Sequence, residues 1–535
     1  MSAGTKYVFV TGGVISSLGK GITAASLACL LKSRGVKVNV LKCDPYLNIN
    51  PGLLSPTQHG EVFVTCDGME TDLDLGHYER FMDQETNRDN TVTAGRVYET
   101  VLNAEKSGKF AGKTIQVVPH ITNEIKYSFK KAAENYEVLI VEIGGTVGDI
   151  EGLPFLEAAR QFRNDVGRDN VLHIHVTLVP YIKASDEMKT KPTQHSVMKL
   201  RELGIEPSII VCRMDQPLTE DLKDKISLFC SVEKKAVIEE MDVQNSIYEV
   251  PVKLHEEKLD ELVIEYLSLK VKPADLKQWK EMLFTCINPK HSVTIAIAGK
   301  YTELKDSYKS IYEALKHGGF ANDSAVKIKY VDLDSANLIK ELSEADAIIA
   351  PDGAVEPGAL EKKMEVIKYA RENNVPFFGI CLGMQCAAVE FARNVCNMKD
   401  ADSQEFNIQA KNPVIVKSIA KNADGSEWRL GSWHCSVKKG SKAFEAYKTE
   451  SVSERHRHKF EINNAFTESF EKEGLNVSGV NPEMKFVEIV ELNNHPWFIG
   501  VQFNPEFQSR PVRPHPLFKG FIAAALKRKE TKPNA

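Results

Sequence analysis

No apolar run in this 535-residue chain approaches the roughly 20 residues needed to cross a bilayer, so no membrane partner is expected. The charged-then-apolar pattern of a secretory signal is missing as well, and the N-terminus runs directly into a strand. Neither charge sign is in excess: 68 basic and 73 acidic side chains leave a formal charge of −5. That balance argues against a nucleic-acid partner, and basic residues are therefore read locally, as ligands of phosphate. Ten cysteines are present, but without paired metal spacing. Cys29, Cys43, Cys212 and Cys230 sit in strand-like or helical segments, which fits reduced thiols and a cytoplasmic location. One absence bears on chemistry. Phe503-Asn-Pro-Glu-Phe507 supplies a carboxylate where a nucleophilic thiol would look for its base, yet no histidine precedes it.

The length calls for two large domains. Strand-like runs alternate with amphipathic helices throughout, which predicts an α/β protein with two open, mostly parallel sheets flanked by helices. Strands are expected at Tyr7–Val10, Val36–Lys42, Val138–Glu142, Val171–Val179 and Ser208–Cys212. A second series covers Val293–Ala298, Ala347–Ala350, Pro376–Ile380 and Trp497–Phe503. The expected boundaries are a first domain at 1–267, a proline- and lysine-bearing connection at 268–290, a second domain at 291–528 and a frayed tail at 529–535.

In the first half, Tyr7-Val-Phe-Val-Thr-Gly-Gly-Val-Ile-Ser-Ser-Leu-Gly-Lys-Gly-Ile-Thr23 reads as strand, glycine-rich loop and helix start. Such a loop surrounds phosphate with backbone N–H groups and the helix dipole, and Lys20 adds a mobile charge. It departs from the strict Walker spacing, and a structural turn is its alternative. Lys42 ends the next strand, on the edge where open α/β sheets bind ligands. Glu142 ends Val138-Leu-Ile-Val141, from where a carboxylate can hold Mg²⁺ beside a phosphate loop, with Asp74 as a second oxygen ligand. Solvated or capping carboxylates are the alternative for both. Lys189-Thr-Lys-Pro-Thr-Gln-His-Ser196 can cradle a second triphosphate, or can be a charged surface loop. In the second half, Gly379-Ile-Cys-Leu-Gly383 places a thiol on a strand-to-helix turn, where the helix N-terminus favours thiolate and the Leu382 N–H can stabilise an oxyanion.

These stretches, with Lys42-Cys-Asp-Pro-Tyr46, Gln58-His-Gly-Glu-Val-Phe-Val64, Thr71-Asp-Leu-Asp-Leu-Gly-His-Tyr-Glu-Arg80 and Glu142-Ile-Gly-Gly-Thr-Val-Gly-Asp-Ile-Glu151, resemble the CTP synthase family over essentially the whole chain. The resemblance implies a P-loop-like N-terminal synthetase domain and a class I glutamine amidotransferase-like C-terminal domain. It implies a ligase in which ATP phosphorylates O4 of UTP, ammonia attacks C4 and phosphate leaves. By position in the motifs, Ser17, Leu18, Gly19, Lys20, Gly21, Ile22, Lys42, Asp74, Asp242 and Val243 would bind ATP. Asp74 and Glu142 would hold Mg²⁺. UTP, or CTP as feedback inhibitor, would meet Ser16, Asp149, Ile150, Glu151, Lys189, Thr190, Lys191, Pro192, Thr193, Gln194 and Lys225. His59 and Val62 would line an ammonia passage. Glutamine would meet Gly353, Leu382, Gly383, Met384, Gln385, Glu405 and Lys459, with Cys381 and Glu506 as catalytic residues. GTP is the family's allosteric effector, and a homotetramer able to form filaments is implied.

The second half departs from the family pattern. The family reads Gln-Phe-His-Pro-Glu where this chain has Gln502-Phe-Asn-Pro-Glu506, so Asn504 stands at the position of the base. An amide can neither activate Cys381 nor protonate departing ammonia. A Pro-Gly-Gly turn appears as Pro351-Asp-Gly-Ala-Val355, and Arg-His-Arg-His-Arg-Tyr-Glu as Arg455-His-Arg-His-Lys-Phe-Glu461. Gly425-Ser-Glu-Trp-Arg-Leu-Gly431 is also altered. The expectation is a CTP synthase fed mainly by free ammonia. A glutamine-dependent enzyme with a substitute base, His495 or His515, and a silent subunit that co-assembles with an active synthase are the alternatives.

Overall fold

The computed structural model describes residues 4–54, 59–299, 305–353, 357–420 and 427–531. Gln58, Ala354, Val355, Gly425, Ser426 and residues 532–535, which figure in the sequence features above, lie outside the described residues. The chain divides into two compact units: residues 1–53 with 74–283, and residues 54–73 with 284–535.

Strands of the first unit are apolar along their whole length, as parallel strands covered on both faces must be. The strands are β1 (Lys6–Gly12), β2 (Val38–Asp44), β3 (Thr91–Thr93), β4 (Val138–Ile143), β5 (Val171–Leu178), β6 (Ile209–Met214) and β7 (Val237–Met241). They form one sheet in the order β7-β6-β5-β1-β4-β2-β3, with every adjacent pair parallel. Helices α1 (Lys20–Ser33), α2 (Asp74–Met82), α3 (Lys191–Glu202) and α4 (Glu220–Cys230) accompany these strands. Phe9, Phe129 and Phe162 stack edge-to-face in a core on one side of the sheet. Later strands add on the side of β1 opposite to β2. The topology therefore reverses beside β1, and the ligand crevice of such a sheet lies beyond its carboxyl end.

The second unit is a mixed sheet of nine strands. These are β8 (His291–Gly299), β9 (Ser324–Asp332), β10 (Ala347–Ala350), β11 (Phe377–Ile380), β12 (Arg429–Val437), β13 (Ser451–His458), β14 (Leu475–Val480), β15 (Val487–Leu492) and β16 (Phe498–Val501). Their order is β9-β8-β10-β11-β16-β15-β14-β12-β13. Pairing is parallel from β9 to β16 and antiparallel beyond it. The antiparallel half is absent from the strands expected above, because β12 to β15 interleave apolar residues with polar ones, several of them buried. The α/β architecture with mostly parallel sheets is as expected.

Three expected boundaries change. Residues 54–73, expected in the first domain, group with the second unit. There a short hairpin pairs Phe63 with Thr71, Phe63 packs on Phe507 at 5.1 Å, and Arg457 Nε donates to Glu70 Oε1 at 2.9 Å. The connection at 268–290 contains α5 (Lys277–Ile287), whose Trp279 and Leu283 are buried and whose Trp279 Nε1 donates to the Tyr248 carbonyl at 2.8 Å. The tail expected from 529 instead continues the final helix, Pro516–Thr531.

Close packing at the thiol turn depends on glycine. A Cβ on Gly383, in α6 (Leu382–Asn394), would stand 2.1 Å from the Ala350 carbonyl oxygen. A backbone atom of a central strand cannot yield as a side-chain tip can. Gly383→Ala is expected to destabilise the second unit by about 1–3 kcal/mol, read as a lowered Tm in calorimetry of the full chain.

Candidate functional site

The loop after β1 bends sharply between strand and helix, with Val14, Ser17 and Gly19 at positive φ (88°, 56° and 96°). Gly19 caps α1, so the helix begins at Lys20 with its N–H groups open toward the loop. Ser16 and Ser17 are exposed and Leu18 is buried beneath them. Lys20 is 8% exposed and its Nζ donates to the Gly145 carbonyl at 2.8 Å. Burial lowers its pKa, and Glu142 and Asp74 act against that shift.

Lys42, Asp74 and Glu142 come together. Lys42 Nζ lies against Asp74, 3.3 Å from Glu142 Oε1 and 3.7 Å from Asp44 Oδ1. Burial opposes the charge on Lys42, but Asp74, Glu142 and Asp44 hold its pKa well above the ordinary value. Burial also opposes the Asp74 carboxylate, and Lys42 outweighs it, so that pKa falls. Tyr78 donates its hydroxyl to Glu142. A Cβ on Gly21 would stand 2.7 Å from Asp74 Oδ1 and 3.3 Å from Glu142 Oε2. Two carboxylates thus converge over the helix start, across space that only glycine leaves open. Hard oxygens of this kind fit Mg²⁺. Among the described residues there is no cluster of three or more His, Cys, Asp or Glu able to hold a metal. Bound Mg²⁺ would therefore take the rest of its shell from phosphate and water, as it commonly does.

The lysine-rich stretch packs directly on the loop. A Cβ on Gly13 would stand 1.6 Å from Ser196 Oγ, and Ser196 Oγ lies 2.8 Å from His175 Nε2. The other nitrogen of His175 lies 2.9 Å from Thr11 Oγ1, which ties β1, β5 and α3 together. Within the stretch the roles divide. Thr190, Thr193 and Gln194 are buried, with Thr193 Oγ1 3.0 Å from Thr177 Oγ1 and Gln194 Nε2 donating to Thr190 Oγ1 at 3.0 Å. Lys189 and Lys191 are exposed, Pro192 is half-buried, and Asp149, Ile150 and Glu151 are exposed on a neighbouring turn. Asp149 Oδ2 accepts from the Thr146 N–H at 2.9 Å, which fixes that turn. Lys225 is exposed on α4.

Asp242 follows β7, with its N–H donating to the Met214 carbonyl at 3.1 Å, and Val243 beside it is half-buried. Arg213, which the sequence reading missed, pairs with Asp242 and with Glu240 at 2.9 Å. Its guanidinium lies 3.4 Å from where a Gly19 Cβ would be. Arg213 is at the carboxyl end of β6, the same strand-end rule that singled out Lys42, so its position was the available signal.

In the second unit, register brings the thiol turn and the closing motif side by side. Ile380 pairs with Val501, and the Cys381 N–H donates to the Val501 carbonyl at 2.7 Å. Cys381 has φ 50° and ψ −105°, a conformation costing roughly 1–3 kcal/mol that surrounding packing must hold. Its Sγ lies 3.7 Å from Gln502 Nε2 and 4.0 Å from the Arg457 carbonyl. Asn504 and Glu506 are buried, with Asn504 Nδ2 donating to Glu506 Oε1 at 3.0 Å. Leu382, Gly383 and Met384 are buried at the start of α6, and Gln385 there donates to the Phe460 carbonyl at 2.8 Å. Gly353 is exposed at φ 141°. Lys459 Nζ lies 4.5 Å from the Trp428 ring centre.

Electrostatics around Cys381 oppose thiolate. Burial pushes its pKa well above the ordinary value, and Asp352, Glu405 and Glu506 push it further. Glu405 is raised to about 7 by burial and Asp352 against the pull of Lys459. Glu506 is raised to about 8, by burial first, then Glu61 and Asp352 against the Asn504 amide. Both candidate rescue histidines have other partners: His495 Nε2 is 3.2 Å from the Ala370 carbonyl, and His515 Nε2 is 3.0 Å from Glu454. Cys381 is expected to resist iodoacetamide at pH 7 while the partly exposed Cys66 and Cys286 react. Its labelling should rise only at strongly alkaline pH, as peptide mass spectrometry of the folded chain would show.

A strand-end phosphate loop with convergent carboxylates, and a thiol elbow on a separate sheet, define an ATP-dependent ligase joined to a class I glutamine amidotransferase fold. Residues 6–269 match the family described as CTP synthase N-terminus, and residues 303–524 match glutamine amidotransferase class-I. A CTP synthase of Bdellovibrio bacteriovorus is 53% identical over 98% of this chain and 99% of its own. One of Bacillus subtilis is likewise 53% identical over 98% of this chain and 99% of its own. Among solved structures, the glutaminase domain of Trypanosoma brucei CTPS with bound acivicin is 36% identical, covering 44% of this chain and 94% of that one, with a TM-score of 0.41. The chain belongs to the CTP synthase family. Among the described residues no helix is long and apolar enough to cross a membrane.

Proposed function

We propose that this chain makes CTP by ATP-dependent amination of UTP and draws its nitrogen mainly from free ammonia. The observation that carries the second part is the closing turn of the second unit. Asn504 spends its amide N–H on Glu506, while burial and three carboxylates keep the Cys381 thiol protonated. Glutamine hydrolysis needs a thiolate and a group that returns a proton to departing ammonia, and neither requirement is met.

In the first unit, Lys20 and the loop N–H groups would hold the ATP phosphates, with Lys42 and Arg213 adding charge at the strand ends. Asp74 and Glu142 would hold Mg²⁺, which when bound spreads the charge of the transferring phosphoryl group. The exposed Ser16, Lys189, Lys191, Asp149 and Glu151 would receive UTP or the inhibitor CTP, while buried Thr193 and Gln194 position them. His59 and Val62 would line the ammonia passage. GTP, as an activator of glutamine hydrolysis, has no base to act through and would leave the ammonia-driven rate unchanged. Assembly into a homotetramer belongs to the same proposal, by likeness to the CTP synthase family.

The test is CTP formation from UTP, ATP and Mg²⁺, with ammonium chloride and with glutamine in parallel. Turnover with ammonium and little with glutamine is expected. Equal turnover with both would overturn the ammonia reading, and none with either would favour a silent subunit.

A further inference from the structure

The closing turn of the second unit contains two acceptors with no donor. Among the described residues, Asn504 Oδ1 and Glu506 Oε2 have no hydrogen-bond partner although both atoms are buried. Asn504 is 2% exposed and Glu506 4%. The two side chains are locked to one another by the 3.0 Å bond from Asn504 Nδ2 to Glu506 Oε1, which leaves the remaining oxygen of each for something else. Backbone contacts hold them there: the Asn504 N–H donates to the Arg455 carbonyl at 2.7 Å, and Pro505–Gln508 form a tight helical turn. An acceptor buried without a partner costs roughly 1–3 kcal/mol, so a pair of them in one rigid turn marks a place for a donor ligand.

The surroundings specify the charge of that ligand. Glu61 and Asp352 act on Glu506, and Asp352, Glu405 and Glu506 act on Cys381. An anion or an amino-acid carboxylate is disfavoured there, whereas a small cation with several N–H donors matches both the orphan oxygens and the acidic field. The turn also packs on the segment expected to line the ammonia passage. Phe507 packs on Phe63, in the segment that carries His59 and Val62, and Glu61 accepts from the Ser310 N–H at 2.8 Å.

We propose that Asn504 and Glu506 form an ammonium-binding site that delivers ammonia from the vestigial glutaminase pocket. This rests on the ammonia-fed reading above. The ion donates N–H bonds to Asn504 Oδ1 and Glu506 Oε2. One proton then passes from nitrogen to Glu506 Oε2, so NH₄⁺ and carboxylate become NH₃ and carboxylic acid. Neutral ammonia leaves, and the acid returns its proton to solvent. No bond to Cys381 forms. A carboxyl already pushed toward neutrality suits this exchange, and a histidine in place of Asn504 would be a competing cation.

Glu506→Gln in the full chain tests it, with CTP formation measured at pH 8 against ammonium chloride at saturating UTP, ATP and Mg²⁺. A KM for ammonium raised roughly tenfold, with kcat falling by a smaller factor, is expected for loss of one charge-assisted contact and of the proton acceptor that act before chemistry. Thermal unfolding gives a readout independent of turnover: wild type should gain Tm in ammonium chloride over sodium and potassium chloride at equal ionic strength, and the variant should not. Should Glu506→Gln fold poorly, Asn504→Leu is read in the same way. An unchanged KM overturns the site while leaving the ammonia-fed reading intact. Equal Tm gains with ammonium and potassium overturn it in favour of a general cation site. If wild type makes no CTP from ammonium the function itself fails, and the thermal comparison alone decides whether the ion binds.

Discussion

Asn504→His is expected to raise glutamine-dependent CTP formation and glutamate release by about a hundredfold, the usual contribution of a positioned base. The substituted ring would stand beside Glu506, which the amide now contacts at 3.0 Å, and that carboxylate would orient it. Full recovery is not expected from this change alone, because Asp352 still raises the Cys381 pKa. Asp352→Gly by itself removes a repulsive charge but supplies no base, so glutamine turnover should stay near the starting level. Together the two changes should exceed the product of their separate effects, since thiolate and base act as one unit. Chromatographic assay of glutamate release in the four proteins checks this. A double variant no better than Asn504→His would show that Asp352 is a bystander.

Lys20→Met is expected to lower ammonia-driven kcat by roughly a thousandfold, as loss of a charge that stabilises a transferring phosphoryl group does. Stability should move in the other direction or not at all. Burial disfavours the Lys20 ammonium, and an apolar side chain of similar length removes that cost. Lys20→Arg should fail to rescue, because the stem is tightly seated: a Cβ on Gly12 would come within 2.6 Å of Lys20 Cδ. A Tm at or above wild type with lost turnover assigns Lys20 to chemistry. A parallel loss of both would make it a structural residue.

Much of the fold was legible because its strands carry their own signal. Val138–Val141 or Ile295–Ala298 can be buried only as central parallel strands, and helices between them follow from connection geometry. The antiparallel strands β12 to β15 were not legible. Residues such as Arg429, Glu454, His456 and Glu488 are fully or almost fully buried there, paired with each other, as with Arg429 and Glu488. A pattern rule that equates polar with exposed misreads such strands. The hairpin at 63–71 likewise gave no sign that it belongs with residues far downstream.

The candidate sites divide in the same way. Lys20, Lys42, Glu142 and Cys381 could be picked out from local motifs, because a phosphate loop, a strand-end charge and a thiol elbow are short-range devices of backbone geometry. The absence of a histidine before Pro505 was equally plain, since a missing residue type is visible in the chain itself. Only tertiary structure placed Arg213 beside Gly19, Asp352 against the thiol, and the unpartnered oxygens of Asn504 and Glu506 in one buried turn. Those facts depend on which strands pair and what covers them, and electrostatic cost is set by neighbours and burial rather than by order along the chain.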